Sequence, residues 1–199
     1  MSTKNKKINV MSLFDGISCG HLACDRAGLE VGSYYSSEID KYAIQITQKN
    51  FPDTIQLGDV RNIDFKKYAG NIDLLIGGSP CQDLSKAKTN RQGLNGSRSG
   101  LFWNFAEALK TLKPKYFLLE NNHGMPKEAK ETITNVLGVE PVLINSALFS
   151  AQSRKRLYWT NIPFNKDIQD KNVDLQSILE FGNTERKKSK TVRVGGGGV

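Results

Sequence analysis

At 199 residues, with 38% hydrophobic and 24% charged residues, the chain is long enough for one domain with a real core, and a second lobe would be cramped. No apolar run reaches the roughly 20 residues that span a bilayer, residues 1–7 are polar and basic with no secretory core behind them, and three cysteines favour a reducing, intracellular setting over a disulfide framework. The net charge of +8 suits a polyanionic partner, but a merely basic protein carries the same total, so charge alone leaves both readings open.

Short apolar runs alternate with helical periods along the chain. Residues 8–14 read as a buried strand, followed by Asp15-Gly16 and a helix with Cys19, Leu22, Ala23 and Ala27 on one face, ended by Gly28. Residues 31–37 form a second strand closed by Glu38. Asp40 is placed to cap the next helix, whose apolar side carries Tyr42, Ala43 and Ile46 before Asn50 and Pro52 stop it. Residues 54–57 are a short strand leading into Gly58-Asp59-Val60. Residues 72–76 are the most strand-like segment and run into Gly77-Gly78-Ser79-Pro80-Cys81.

Residues 82–100 have neither period, and a loop of that length inside a compact domain is usually functional. Leu101, Phe105, Ala108, Leu109 and Leu112 mark an amphipathic helix halted by Pro114. A strand over 116–119 ends at Glu120. A helix near 127–137 follows, with Ala129, Ile133, Val136 and Leu137 inward, and 142–145 and 157–160 supply the last strands. After Pro163 the pattern fades. Residues 174–179 suggest one more short element, and from Thr184 the basic run into four glycines reads as a disordered tail with a weaker tendency to touch phosphates.

This alternation predicts an α/β fold with a doubly wound, mostly parallel sheet, in which ligands bind beyond the carboxyl ends of the strands. Phe14-Asp15-Gly16, Glu38, Asp59, Pro80-Cys81 and Glu120 all fall there. The organisation follows as a basic tail over 1–7, a catalytic domain over 8–163 and the start of a further region over 164–199.

Two sites emerge. The turn Phe14-Asp15-Gly16-Ile17-Ser18-Cys19-Gly20 lets backbone approach a ligand but is not G-x-G-x-x-G, which disfavours a dinucleotide. Glu38 is placed for ribose hydroxyls, Asp59 for an adenine amino group, and Asp15 for the charge of a sulfonium. Each acid alone would more often be a cap or a solvated side chain, and their common register at neighbouring strand ends favours a nucleoside site. At the second site Cys81 follows four small residues at a strand end, where a thiol can be reactive, and Glu120 can act as a general acid. Arg154 and Arg156 suit a carbonyl oxygen or phosphates. Cys19 and Cys24 read as buried helix residues, and Cys19-x-His21 with Cys24 lacks a fourth ligand, so no metal is expected.

In order, Phe14-Asp15-Gly16…Gly20, Gly78-Ser79-Pro80-Cys81-Gln82, Glu120-Asn121 and Gln152-x-Arg154-x-Arg156 resemble the conserved blocks of cytosine-C5 DNA methyltransferases, over residues 8–163. Gly77-Gly78-Ser79-Pro80-Cys81 and Gly58-Asp59-Val60-Arg61 are similar to phage-borne and de novo-type members. The resemblance implies a Rossmann-like methyltransferase fold using S-adenosylmethionine, held by Phe14, Asp15, Gly16, Gly20, Glu38, Asp59, Val60 and Pro80. It also implies a cytosine flipped out of DNA, attacked at C6 by Cys81, protonated at N3 by Glu120 and held at O2 by Arg156 with Arg154. Gln82, Ser85, Lys86, Lys88, Arg91 and Arg98 would face DNA from a closing loop. The setting implied is the cytoplasm of a bacterial or phage-infected cell, with a role in restriction-modification among the possibilities.

The chain departs from the pattern in two places. Asn122 stands where the family usually has valine, and the recognition region and closing blocks that normally follow the arginine block are not visible after Pro163. The expectation is that the chain alone binds DNA weakly and methylates poorly or not at all, being a truncated product, one half of an enzyme completed by a second polypeptide that supplies target recognition, or a minimal active variant. Three other readings are a noncatalytic or split-enzyme subunit, an RNA cytosine-C5 methyltransferase, and a nicotinamide oxidoreductase. The absence of G-x-G-x-x-G weighs against the last.

Overall fold

The computed structural model describes residues 7–79, 100–165 and 167–191. Seven strands form one sheet in the order β3-β2-β1-β4-β5-β7-β6. They are β1 (Ile8–Leu13), β2 (Val31–Ser37), β3 (Ile55–Gln56), β4 (Leu74–Gly77), β5 (Tyr116–Asn122), β6 (Val142–Asn145) and β7 (Lys155–Thr160). All neighbours pair in parallel except β7, which runs antiparallel to both β5 and β6. The helices are α1 (Cys19–Arg26), α2 (Lys41–Asn50), α3 (Leu101–Leu112) and α4 (Lys127–Leu137). The chain therefore has the mixed, mostly parallel α/β sheet expected of a Rossmann-like methyltransferase fold.

Neighbouring residues of the central strands point into opposite layers, because side chains alternate across a sheet. Met11, Leu13 and Leu75 join the larger core with Phe102, Phe105, Ile133 and Trp159, while Val10 and Leu74 join Cys24 and Tyr34 on the other side. Burial on both faces explains why β1 and β4 read as apolar runs rather than as alternating strands. Trp159 is fully buried and donates from Nε1 to Thr134 Oγ1 at 2.9 Å, tying β7 to α4.

At the end of β4 the larger core presses on the main chain itself. A Cβ on Gly77 would stand 2.6 Å from a ring carbon of Phe105, which has no exposed surface. Gly77→Ala is expected to cost about 1–3 kcal/mol of stability by overpacking, read as a lower thermal midpoint.

Several details depart from the sequence reading. On α1 the sheet-facing stripe is Gly20 and Cys24, so Cys19 and Leu22 lie outward. On α2 the fully buried position is Thr47, whereas Tyr42 and Ile46 are exposed. Small and hydroxyl-bearing side chains pack these two helices against the sheet, so an apolar-periodicity argument picked the wrong face. Val136 of α4 is likewise exposed. Asp40 does cap α2, accepting from the Tyr42 and Ala43 amides at 2.8 and 3.0 Å.

The basic segment expected to be disordered is anchored at Lys188 and Ser189, with Arg186, Lys187 and Lys190 exposed. The Lys188 ammonium donates to three main-chain carbonyls, and Ser189 forms a bridge with Gln152. Sequence charge pointed to solvent, but backbone carbonyls supply enough acceptors to hold this lysine inward. Among the described residues, no helix is long and apolar enough to cross a membrane.

Candidate active site

The turn after β1 is built from alternating left-handed residues, with Phe14 at φ 59°, Gly16 at φ 60° and Ser18 at φ 60°. Two of the three carry side chains, which costs of order 1–2 kcal/mol apiece and must be offset locally. Asp15 supplies the offset. Its Oδ1 accepts from the Tyr34 hydroxyl at 2.8 Å, and its Oδ2 accepts from Ser36 Oγ at 2.8 Å and from Ser18 Oγ. Ser18 Oγ in turn lies 2.9 Å from Thr47 Oγ1 on α2. The carboxylate is thus turned toward β2 and α2, and its contacts are hydroxyls of this chain.

Tyr34 is buried, its ring stacked on His21, which is itself stacked on Phe51. Burial first, and the Asp15 charge second, hold its phenol far above the ordinary value, so it remains a proton donor to Asp15. Gly20 permits this packing, because a Cβ there would come within 2.8 Å of the Tyr34 hydroxyl oxygen. In this structure Gly20 lies at a close contact between α1 and the sheet.

Glu38 stands at the end of β2 and links the same turn. Its Oε2 accepts from the Gly16 amide at 2.8 Å, and its Oε1 from the Ile39 and Asp40 amides at 2.7 and 2.9 Å. Asp59 follows β3 and caps the 3-10 turn Val60–Asn62. Both of its oxygens are engaged by Arg61, chiefly through hydrogen bonds that hold the carboxyl down at about 2. Val60 points its side chain into the larger core.

The second cluster lies on β5 and β7. Glu120 is not beyond a strand end, as the sequence pattern placed it, but within β5 opposite Tyr158 of β7. Pairing with β4 stops at Leu119, whereas antiparallel pairing with β7 carries β5 on to Asn122. The overhang presents Glu120 to Arg156, whose Nε lies 2.6 Å from Oε1 in a partly buried ion pair. A Cβ on Gly78 would lie 3.3 Å from Glu120 Oε2, so the carboxylate borders the segment leading to Cys81. Buried Asn121 donates from Nδ2 to the Ser79 carbonyl at 2.9 Å and fixes the same segment. Burial, then the Glu120 charge, raises the Tyr158 phenol above its ordinary value.

Arg154 is held by its main chain, its amide donating to Asn145 Oδ1 at 2.9 Å and its carbonyl accepting from Ser146. The structure therefore gathers Asp15, Gly16 and Glu38 at one turn, and Glu120 and Arg156 at another, with Arg154 on the loop that enters β7. Sequence reasoning quoted Asn121 as part of a block without giving it a role, and missed Tyr158 and the hydroxyls of Ser18, Tyr34, Ser36 and Thr47. The place of Tyr158 opposite Glu120 comes from strand pairing. Pro80, Cys81, Gln82, Ser85, Lys86, Lys88, Arg91 and Arg98 lie outside the described residues.

Cys24 is buried, and desolvation pushes its thiol up to about 11, which makes it a poor nucleophile. Cys19, expected to be buried, is exposed. Among the described residues no group of three or more His, Cys, Asp or Glu side chains is arranged to hold a metal ion.

The family model for C-5 cytosine-specific DNA methylase matches residues 8–194. The chain belongs to this family. Its relatives include the orphan methyltransferase M.SPRI of Bacillus phage SPR, 38% identical over 164 residues, which span 76% of this chain and 37% of that protein. The type II methyltransferase M1.ScrFI of Lactococcus lactis subsp. cremoris is 36% identical over 165 residues, 78% of this chain and 41% of the relative. M.NgoPII of Neisseria gonorrhoeae, also a type II methyltransferase, is 32% identical over 180 residues, 85% of this chain and 51% of the relative. The chain thus spans between a third and a half of the length of these curated methylases.

Proposed function

We propose that the chain transfers a methyl group from S-adenosylmethionine to C5 of cytosine in DNA, with Cys81 adding to C6 of a base flipped out of the duplex. The observation that carries the reading is the Glu120–Arg156 pair bordering Gly78, three residues before Cys81 in the chain.

The residues of the first turn fit a nucleoside-bearing cofactor. A carboxylate offers about four acceptor positions, and three on Glu38 are taken by amides, which leaves one on Oε2 for a ribose hydroxyl. Among the described residues, nothing stands within 4 Å of where a Cβ on Gly16 would be, which is compatible with a ligand lying against the turn. Phe14, Gly16 and Glu38 would hold the cofactor, and Pro80 and Val60 would border it. Asp59 reaches an adenine amino group only if Arg61 lets go. When bound, S-adenosylmethionine supplies an electrophilic methyl group.

The chain's own residues do the rest. C5 of cytosine is a weak nucleophile while the ring is aromatic, and addition of the Cys81 thiolate at C6 makes C5 electron-rich. Glu120 holds a proton at N3 and so stabilises the dearomatised C6 adduct, in which the ring stays closed. Arg156 pairs with the Glu120 carboxylate and donates from one terminal nitrogen to the Lys155 carbonyl, and its other terminal nitrogen would donate to O2. Arg154 adds a second cation on the loop entering β7. Asn121 keeps the Ser79 carbonyl fixed, which steadies the approach to Cys81. Lys86, Lys88, Arg91 and Arg98 contribute positive charge for phosphates by their place in the sequence.

The test uses duplex DNA carrying 5-fluorocytosine, incubated with the chain and S-adenosylmethionine. After methylation C5 holds fluorine in place of the departing proton, so the thiolate cannot be expelled and the adduct persists. A complex that survives denaturing electrophoresis, and is absent with Cys81→Ala, is expected. Binding of cofactor and DNA without adduct or methyl transfer would overturn the catalytic reading and leave a binding role. Adduct formation on RNA in preference to DNA would move the substrate.

A further inference from the structure

The C-terminal segment touches the loop that carries the arginines at several points, and one side chain organises them. Lys188 Nζ lies 2.7 Å from the Ala147 carbonyl, 3.1 Å from that of Ser150 and 2.8 Å from that of Val173. An ammonium has three protons, and here each has an acceptor. The Ala147 and Ser150 carbonyls belong to one tight turn, in which the Phe149 and Ser150 amides both donate to the Ser146 carbonyl. The third carbonyl, Val173, belongs to the segment on the far side, so the lysine joins two stretches that lie far apart in sequence.

The residue after the lysine completes the attachment. The Ser189 amide donates to the Ala151 carbonyl at 2.7 Å, and the Ser189 carbonyl accepts from the Ser153 amide at 2.9 Å. Two further main-chain bonds, Lys171 to the Leu148 carbonyl and Leu175 to the Lys187 carbonyl, hold the segment on itself and on the loop. Residues 147–153 are therefore bracketed, and Arg154 is the next residue along.

We propose that Lys188 is a positioning residue for the arginine loop, setting through its three carbonyl contacts where Arg154 stands and where β7 begins. Residues 171–191 are then a brace of the catalytic unit rather than the free start of another region. The chemistry selects lysine. Three carbonyls converging from two segments match a compact ammonium, whereas a planar guanidinium directs its donors in one fan. The catalytic meaning of the brace rests on the reading of Arg154 and Arg156 given above; the brace itself does not.

Two measurements on the full chain test it. In the wild-type chain, limited acylation by an amine-reactive reagent, mapped by mass spectrometry, is expected to modify Lys188 at least tenfold more slowly than exposed Lys187 and Lys190. Equal rates would overturn the contact and with it the proposal. In Lys188→Met, amide exchange over 146–154 is expected to rise at least tenfold while β1 and β4 exchange as before. The KM for DNA should rise about tenfold with the KM for S-adenosylmethionine unchanged, and Lys188→Arg should restore only part of the loss. Unchanged exchange over 146–154 would sink the positioning role. Acylation and exchange need no methyl transfer, so their outcome is independent of whether the proposed reaction is correct.

Discussion

Glu120→Gln is expected to lower methyl transfer into DNA by about 10²–10⁴-fold, the range over which a positioned acid or base acts. The substitution is nearly isosteric. Its amide oxygen can still face the Arg156 guanidinium, and its volume beside Gly78 is nearly unchanged, so the fold should hold. What disappears is the proton transfer at N3 proposed for this carboxyl. The measurement is single-turnover transfer of labelled methyl groups at saturating cofactor and DNA, with cofactor affinity determined separately. A wild-type rate in this variant would place the proton transfer elsewhere. Arg156→Ala provides the complementary case. It leaves the Glu120 carboxylate in place and removes both its partner and the donors proposed for O2, so DNA binding and turnover should fall together. Tyr158, opposite Glu120 and held as a neutral phenol by burial and by that charge, is not expected to take over the proton.

The parts of this site that could be read from sequence are those fixed by strand ends. Ile8–Leu13 and Leu74–Gly77 are buried on both faces, which makes them plain apolar runs, and the residues following such runs in a parallel sheet collect at one edge. Asp15, Glu38 and Asp59 were found that way. The outcome differed for each acid because local partners, which no strand pattern reveals, decide what a carboxylate does. Glu38 retains acceptor capacity, Asp59 is taken by Arg61, and Asp15 is taken by hydroxyls. Glu120 was also placed at a strand end, but its geometry depends on β7 running antiparallel and prolonging β5. That reversal leaves no mark in hydrophobic periodicity. Lys188 shows the same limit from the other side. In a run of basic residues nothing distinguishes the lysine that turns inward, because its partners are main-chain carbonyls and have no sequence signature.

The sharpest division between two roles of one residue is expected at Asp15. If its carboxylate faces a bound sulfonium, Asp15→Ala should weaken S-adenosylmethionine binding and leave stability almost unchanged. The hydrogen bonds favour the opposite order of effects. Removing the carboxylate strips acceptors from Tyr34, Ser36 and Ser18, all of them buried, and each stranded donor costs of order 1–3 kcal/mol. Ser18 can fall back on Thr47, so the sum should not be fully additive, and a loss of about 3 kcal/mol in unfolding free energy is expected. Asp15→Asn keeps one acceptor and should fall between wild type and alanine. Tyr34→Phe deletes one donor and leaves the carboxylate, so its cost should be the smallest of the three.

Cofactor affinity should follow the same order, because the left-handed backbone at Phe14 and Ser18 is maintained by these bonds and relaxes without them. Urea unfolding and titration calorimetry with S-adenosylmethionine, run on all three variants, separate the cases. Parallel losses of stability and affinity across the series mean that Asp15 shapes the turn. An alanine variant as stable as the wild type but unable to bind the cofactor would mean that the carboxylate meets the ligand directly, and that binding reorganises the hydroxyl cluster around it.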